Sequence, residues 1–324
     1  MKMLDMASAV QQQPGGVQSI PKVLVLLASY NGAPWLAEQV DSILAQRGVD
    51  VRILIGDDLS KDATRHLVQE RWGGDERVTL HAWDRPSGSA GANFRRLYRF
   101  ADVDGFDLVA LADQDDVWAA DKLQSAAAAL QASGAVGYSC SVTSFWPDGR
   151  ERVMAQRPAT SGGDFLFEGA GQGCTFVVTA GFFAQVKAFC NEHIDAVEAL
   201  HYHDWLIYLL SRAWSLGWYF DAVPKMRYRQ HDGNEIGSRG GLGSITRRLE
   251  LVRNGWYRKQ VLAAAQVYVL ANPGTGSVRR FLTTLHARDS GVRRAKLAWF
   301  CAKNGRRRLS DRAVLVFASA AGWL

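Results

Sequence analysis

Short apolar runs and segments of helical spacing take turns over residues 21–133. KVLVLLAS (22–29), VRILIGDD (51–58), RVTLHAW (77–83) and FDLVALAD (106–113) read as strands, brief and rich in branched aliphatic side chains. Between them, APWLAEQVDSILAQ sets Leu36, Val40, Ile43 and Leu44 on one helical face. KDATRHLVQERW, GANFRRLYRFA and the Ala-rich DKLQSAAAALQAS also read as helices. Strands alternating with helices close as a mainly parallel sheet covered on both faces. In such sheets ligands collect at the carboxyl ends of the strands.

Those ends are polar in a consistent way. The first strand runs into Ser29-Tyr30-Asn31, the second into Asp57-Asp58, and the fourth into Asp113-Gln114-Asp115-Asp116. Crowded carboxylates repel one another and gain nothing from a core, so the last cluster needs a partner. Alternate residues of a strand share a side, so Asp113 and Asp115 project together. Hard divalent cations such as Mg²⁺ or Mn²⁺ take oxygen ligands of this kind and share them with phosphates. An aromatic ring at one strand end can stack on a base, and a carboxylate at the next can accept the imide N–H of uracil or thymine. The plainer alternatives are a turn at Tyr30-Asn31-Gly32, and Asp57-Asp58 opening a loop whose helix is capped by Asp62. No GxGxxG follows the first strand, so the usual dinucleotide fingerprint is missing.

After Gly134 the order changes. AVGYSCSVTSFW and GCTFVVT read as strands of a mixed second half, HDWLIYLLSRAWSLG as an apolar helix, and KMRYRQHDGNEIGS as a short strand entering a Gly-rich loop. From about Leu242 the chain reads as basic amphipathic helices. We place a disordered lead at 1–20, one domain at 21–240 (halves 21–133 and 134–240) and a basic helical extension at 241–324. Residues 237–324 hold 17 Lys/Arg against 3 Asp/Glu, while 1–236 hold 21 against 29. The extension therefore suits an anionic membrane face, or else forms a solvated cap that mediates oligomerisation. It carries no RNA-recognition signature or zinc-finger spacing, so nucleic acid is not the expected partner. Four scattered cysteines without a CxxC pair fit a reducing cytoplasm. The first residues lack an apolar signal core, and no run of 18 apolar residues exists to span a bilayer.

Three further motifs carry chemistry. GSAGANF (88–94) offers a loop and a helix N-terminus that could face an anion. LHYHDWLIYLL holds His201, His203 and Asp204; Asp204 suits a helix cap or, if that helix start faces the cleft, a general base. RYRQHDGN holds Arg227, Arg229 and His231, a phosphate-pairing and metal-ligating set.

Taken together, ASYNGAPWLAEQVDSILAQ, IGDDLSKDAT, GANF, LADQDDVWAADKL, GCTFVV, HDWLIYLL and YRQHDGNEIG resemble the family 2 glycosyltransferases of the GT-A fold. The likeness is strongest to the bacterial rhamnosyltransferase-like branch that builds surface polysaccharides, and it covers residues 22–240. It implies a Rossmann-like nucleotide half, a mixed acceptor half and an inverting transfer from a dTDP- or UDP-sugar, with dTDP-rhamnose preferred, to a glycan or lipid-linked glycan. The implied nucleotide-sugar pocket is Ser29, Tyr30, Asn31, Asp57, Asp58, Asn93, Asp113, Gln114 and Arg229. Tyr30 would stack on the base, Asp58 would read the pyrimidine and Asp113 would contact the ribose. Asp115 and His231 would hold Mg²⁺ or Mn²⁺, and Asp204 would be the base, with His-Asp where the family usually has Glu-Asp. A nucleotidyltransferase, or a non-catalytic nucleotide-sugar or nucleic-acid binding protein, is the alternative reading.

Overall fold

Strand β1 (Lys22–Ser29) lies inside the sheet, between two parallel neighbours, and is buried along nearly its whole length. Its side chains alternate between two cores: Val23, Val25 and Leu27 enter one, Leu24, Leu26 and Ala28 the other. A strand buried on both faces has to be apolar throughout, which is why this run shows no alternation of polarity. Fully burying each such aliphatic side chain contributes about 1.5–3 kcal/mol. The computed structural model describes residues 19–158, 162–231, 250 and 252–324. The expected lead at 1–20, save its last two residues, the Gly-rich loop after His231 and the boundary at 237–242 lie outside the described residues.

β1 pairs in parallel with β2 (Asp50–Asp57) and β4 (Leu108–Asp113), and β2 with β3 (Val78–Ala82). The register sets Ser29 opposite Asp57 and Ala28 opposite Asp113, so the polar strand ends form one rim. Helices α1 (Leu36–Leu44), α2 (Thr64–Trp72) and α4 (Lys122–Ser133) cover the first core. On the other face lie α3 (Ala90–Phe100), α5 (Ala180–Glu192) and α7 (His203–Ala213), with the short α6 (Ile194–Glu198) between the last two. This is the α/β architecture with a mainly parallel first half that the alternation implies.

The second half extends the same sheet. Strand β8 (Val177–Thr179) is antiparallel to both β4 and β6 (Gly137–Phe145), and β9 (Trp218–Arg229) runs parallel to β6. β5 (Val117–Trp118) pairs with β9, and β7 (Glu151–Met154) with β6. The order is β3-β2-β1-β4-β8-β6-β9-β5. Three details depart from the sequence reading. The GCT of GCTFVVT is a 3-10 turn (Gly173–Thr175) and not strand. Helix α5 follows β8 directly, where the sequence reading has no element. β9 is 12 residues long and accommodates Pro224 where its register with β6 shifts, an irregularity that tolerates a missing N–H.

Beyond helical residues at 250 and 252–253, the described residues form α8 (Trp256–Ala271), α9 (Gly276–His286), α10 (Gly291–Asn304) and α11 (Leu309–Ala320). Val261, Ala264, Val267, Phe281, Leu285 and Leu297 share one core with Phe165, Phe167 and Trp205 of the second half. No described helix is long and apolar enough to cross a membrane.

Candidate active site

The loop after β1 is held rigidly. Gln114 Oε1 accepts from Ser29 Oγ (3.0 Å) and Tyr30 N (2.8 Å), and Gln114 Nε2 returns a bond to Tyr30 O (3.0 Å). Asn31 takes a left-handed conformation (φ 50°) that Asn tolerates. Its N–H donates to Ser60 Oγ (2.8 Å), and its Oδ1 accepts from Lys61 N (2.8 Å). Ser29, Asn31 and Gln114 thus hold a platform from which the Tyr30 ring stands 48% exposed, free on the solvent side to stack.

At the adjacent strand end Asp57 is fully buried and paired with Arg65 Nε at 2.6 Å. Asp58, nearly buried, accepts from Ser87 N and Ser87 Oγ, each at 2.7 Å, with Arg96 3.5 Å away. These bonds fix the Asp58 carboxylate beside Tyr30 and leave each oxygen a second lone pair. Asn93 lies against the same strand ends. It is buried, its Nδ2 donates to Gly56 O (2.8 Å), and its Oδ1 accepts from Trp83 Nε1 (2.7 Å), so it braces the strand ends.

The acidic loop after β4 splits into two groups. Asp115 Oδ2 meets His231 Nε2 at 2.6 Å, and the His231 ring stacks on Trp35 with centroids 4.2 Å apart. Arg229 Nε donates to Asp115 O (2.8 Å), Arg229 N to Asp116 Oδ1 (3.2 Å), and its guanidinium also reaches Glu38. The second group is Asp113, Asp116 and Cys174, whose ligand atoms all lie within 4.8 Å of one another. Asp116 is fully buried, and its Oδ2 has no conventional hydrogen-bond partner among the described residues; the Cys174 thiol, a weak donor, is the group beside it. Burial, then the charges of Asp115 and Asp113, hold the Asp116 carboxyl well above the usual range. Lys122 lies beneath, with Nζ 3.2 Å from the centre of the Trp118 ring and 2.9 Å from Cys174 O. Burial pulls its ammonium down to about 8, while the nearby Cys140, Cys174, Asp116 and Asp113 oppose that fall.

Across the cleft, Asp204 sits inside the first turn of α7, where Oδ1 accepts from Trp205 N at 2.7 Å. The N-cap position itself belongs to Tyr202. The approach to Asp204 is pinned by buried Arg95, which bonds Leu200 O and His201 O (3.0 Å each) and pairs with Glu198. Gln260 Oε1 of α8 accepts from His201 N at 2.7 Å. His203 stacks on Phe94 (3.9 Å) and meets the Tyr98 hydroxyl through Nδ1 at 2.5 Å. Burial, then Arg95 and His201, push its imidazole down to about 3, so it is neutral at working pH and unfit as a base.

The turn at Gly173–Thr175 joins the two sides. A Cβ on Gly173 would lie 2.9 Å from Asp204 Cβ, and the next residue, Cys174, belongs to the Asp113–Asp116 group. Trp35, Ser87, Lys122, Gly173 and Cys174 are site residues that sequence reasoning did not single out. Of these, Trp35, Lys122, Gly173 and Cys174 lie within motifs quoted above, ASYNGAPWLAEQVDSILAQ, LADQDDVWAADKL and GCTFVV, whereas Ser87 lies in none.

A parallel sheet ending in an exposed aromatic ring and a fixed carboxylate, continued by an acidic loop and a mixed half with its own carboxylate, is the architecture of a GT-A glycosyltransferase. The chain belongs to glycosyl transferase family 2, whose profile matches residues 24–192. It is 36% identical over 240 residues to the dTDP-rhamnosyl transferase RfbG of Shigella flexneri, covering 74% of this chain and 83% of that one. It is 35% identical over 124 residues to the succinoglycan biosynthesis protein ExoO of Rhizobium meliloti, covering 38% and 33%. Among solved structures, residues 1–349 of S. aureus TarS in complex with UDP-GlcNAc superpose with a TM-score of 0.53 at 13% identity, covering 93% of this chain and 89% of that one.

Proposed function

We propose that this glycosyltransferase moves rhamnose from dTDP-rhamnose to a glycan or lipid-linked glycan acceptor with inversion at the anomeric carbon. The observation that carries the reading is the Gly173–Cys174 turn, which touches Asp204 on one side and the Asp113–Asp116 group on the other. A proton acceptor and a diphosphate-side acidic cluster thereby face one cleft. Tyr30 stacks on the base and Asp58 accepts the pyrimidine imide N–H. Asp113 contacts the ribose, and Arg229 orients the loop that carries Asp115. Asp204 takes the proton of the acceptor hydroxyl as its oxygen bonds to the anomeric carbon and the bond to the diphosphate breaks.

The donor set fits a hard divalent ion. Asp115 supplies carboxylate oxygens and His231 a ring nitrogen, and the nearby Asp116 Oδ2, which has no conventional hydrogen-bond partner among the described residues, is the kind of buried acceptor an ion satisfies. Asp115 and His231 would hold Mg²⁺ or Mn²⁺, which when bound stabilises charge on the departing diphosphate. The net positive C-terminal helices support a peripheral place on the inner face of an anionic membrane, where a lipid-linked acceptor would be met.

The test is a panel of dTDP-, UDP- and GDP-sugars with Mg²⁺ or Mn²⁺, scored for donor hydrolysis and by calorimetry of the free nucleotides. The reading expects dTDP-rhamnose to be turned over fastest. Tighter binding of GDP than of dTDP and UDP would remove the pyrimidine pocket.

A further inference from the structure

Large apolar side chains are not exposed at random on this protein. Among the described residues, five are more than 60% exposed, and four of them lie on the last two helices: Val292 (67%), Trp299 (74%), Leu309 (77%) and Phe317 (61%). On α10, Val292, Lys296, Trp299 and Lys303 follow at steps of four, three and four, so they form one face. On α11, Leu309, Ala313, Phe317 and Ala320 do the same without a charge among them. The two faces are neighbours, because Ala302 of α10 and Leu309, Val316 and Phe317 of α11 line one open groove. On the other flank of α10 a cavity of about 390 Å³ is lined by Trp299, Phe300, Arg280, Lys296 and Lys303.

The positive charge of the extension divides into two kinds. Arg294 pairs with Asp289, Arg306 and Arg307 with Glu168, and Arg307 also with Asp164; these are internal struts. Arg280, Lys296 and Lys303 have no ion-pair partner among the described residues, and they border the apolar ridge. A ridge of Trp, Leu and Phe edged by unpaired cations, on helices of 14 and 12 residues that cannot span a bilayer, matches the chemistry of an interfacial anchor. A second copy is a poor occupant. A two-fold contact over this ridge would bring the cations against their own counterparts, with no acidic group on the ridge to answer them.

We propose that the exposed face of α10 and α11 lies in the surface of an anionic bilayer, with Trp299, Leu309 and Phe317 among the acyl chains and Lys296, Lys303 and Arg280 on lipid phosphates. This deepens the reading of an acceptor met at a membrane by naming the face that meets it. The experiment is flotation of the full chain with vesicles of phosphatidylglycerol and phosphatidylcholine, and with phosphatidylcholine alone. The parent should float with the anionic vesicles only, and the triple variant Trp299→Ser/Leu309→Ser/Phe317→Ser should partition at least about tenfold less. Lys296→Glu/Lys303→Glu should bind more weakly and with a shallower salt dependence. All five positions are exposed, so melting temperatures should match the parent. Failure of the parent to float, equal flotation of the triple variant, or light scattering that shows a parent dimer dissociated by the triple variant would overturn the proposal. Donor hydrolysis in vesicle-free solution, measured on the same samples, reports on the catalytic reading separately.

Discussion

A single methyl group at Gly173 should disable the reaction while leaving the donor bound. In Gly173→Ala the new Cβ would lie 2.7 Å from His203 Cε1 and 2.9 Å from Asp204 Cβ. Carbon atoms in contact sit about 3.5–4.0 Å apart, so the neighbours must withdraw by roughly 0.5–1 Å. His203 has no room to yield, since it is stacked on Phe94 at 3.9 Å and bonded to the Tyr98 hydroxyl. With His203 pinned, the strain falls on the Gly173 turn and on Asp204, and a misplacement of about 1 Å between them can cost about 10²-fold in rate. Overpacking of this kind costs about 1–3 kcal/mol of stability, which a melting curve would register. The atoms nearest the new Cβ belong to His203 and Asp204 and not to Tyr30 or Asp58, so the KM for the nucleotide sugar should stay near the parent value. The assay is donor hydrolysis, with water in the acceptor's place, run on folded protein. A rate within about threefold of the parent would show that the position of Asp204 does not govern turnover.

Three further outcomes are expected. Asp204→Asn keeps the shape and the bond from Trp205 N but cannot take a proton, so turnover should fall about 10²–10⁴-fold with donor affinity unchanged; near-normal turnover would make Asp204 merely a stabiliser of its helix. Asp115→Ala, or a chelator added to the parent, should abolish turnover while circular dichroism stays unchanged, and full activity in EDTA would refute the metal reading. His203 is held down to about 3 against an ordinary 6.5, so between these pH values the unfolded chain binds a proton that the folded one does not. Stability should accordingly be retained above pH 6.5 and fall as the pH drops, by about 2 kcal/mol at pH 5. Denaturant titrations of the parent and of His203→Gln should show this slope in the parent and lose it in the variant.

What could be read from the sequence was whatever local spacing encodes. β1 ends at Ser29 where its apolar run does, and the polar ends of β1, β2 and β4 form the expected rim because parallel pairing keeps equivalent ends together. Helix α5 carried a helical signal too: Thr179 accepts from Phe182 N as its cap, and Phe182, Phe183, Val186, Phe189 and Cys190 all turn inward. β5 was beyond reach, since two residues become a strand only through their pairing with β9. The same holds within the site. Asp113 and Asp115 announce themselves by their spacing, whereas Cys174 reaches Asp116 only because β8 returns antiparallel beside β4. Asn93 reads as a pocket residue in its motif, whereas its bracing bonds could not be read there, because its amide matches backbone groups that only the packed sheet presents.

The sharing of one core by the C-terminal helices and the second half bears on how such enzymes can be recombined. Tyr257 of α8 donates its hydroxyl to Phe167 O, Gln260 holds His201 three residues before Asp204, and Arg307 reaches Asp164 and Gly169 O. A chimaera joined near residue 240 would pair one enzyme's tail with another's acceptor wall, and each of these bonds would cross the seam. Exchanging acceptor preference between relatives therefore calls for keeping each basic tail with the acceptor wall it packs on.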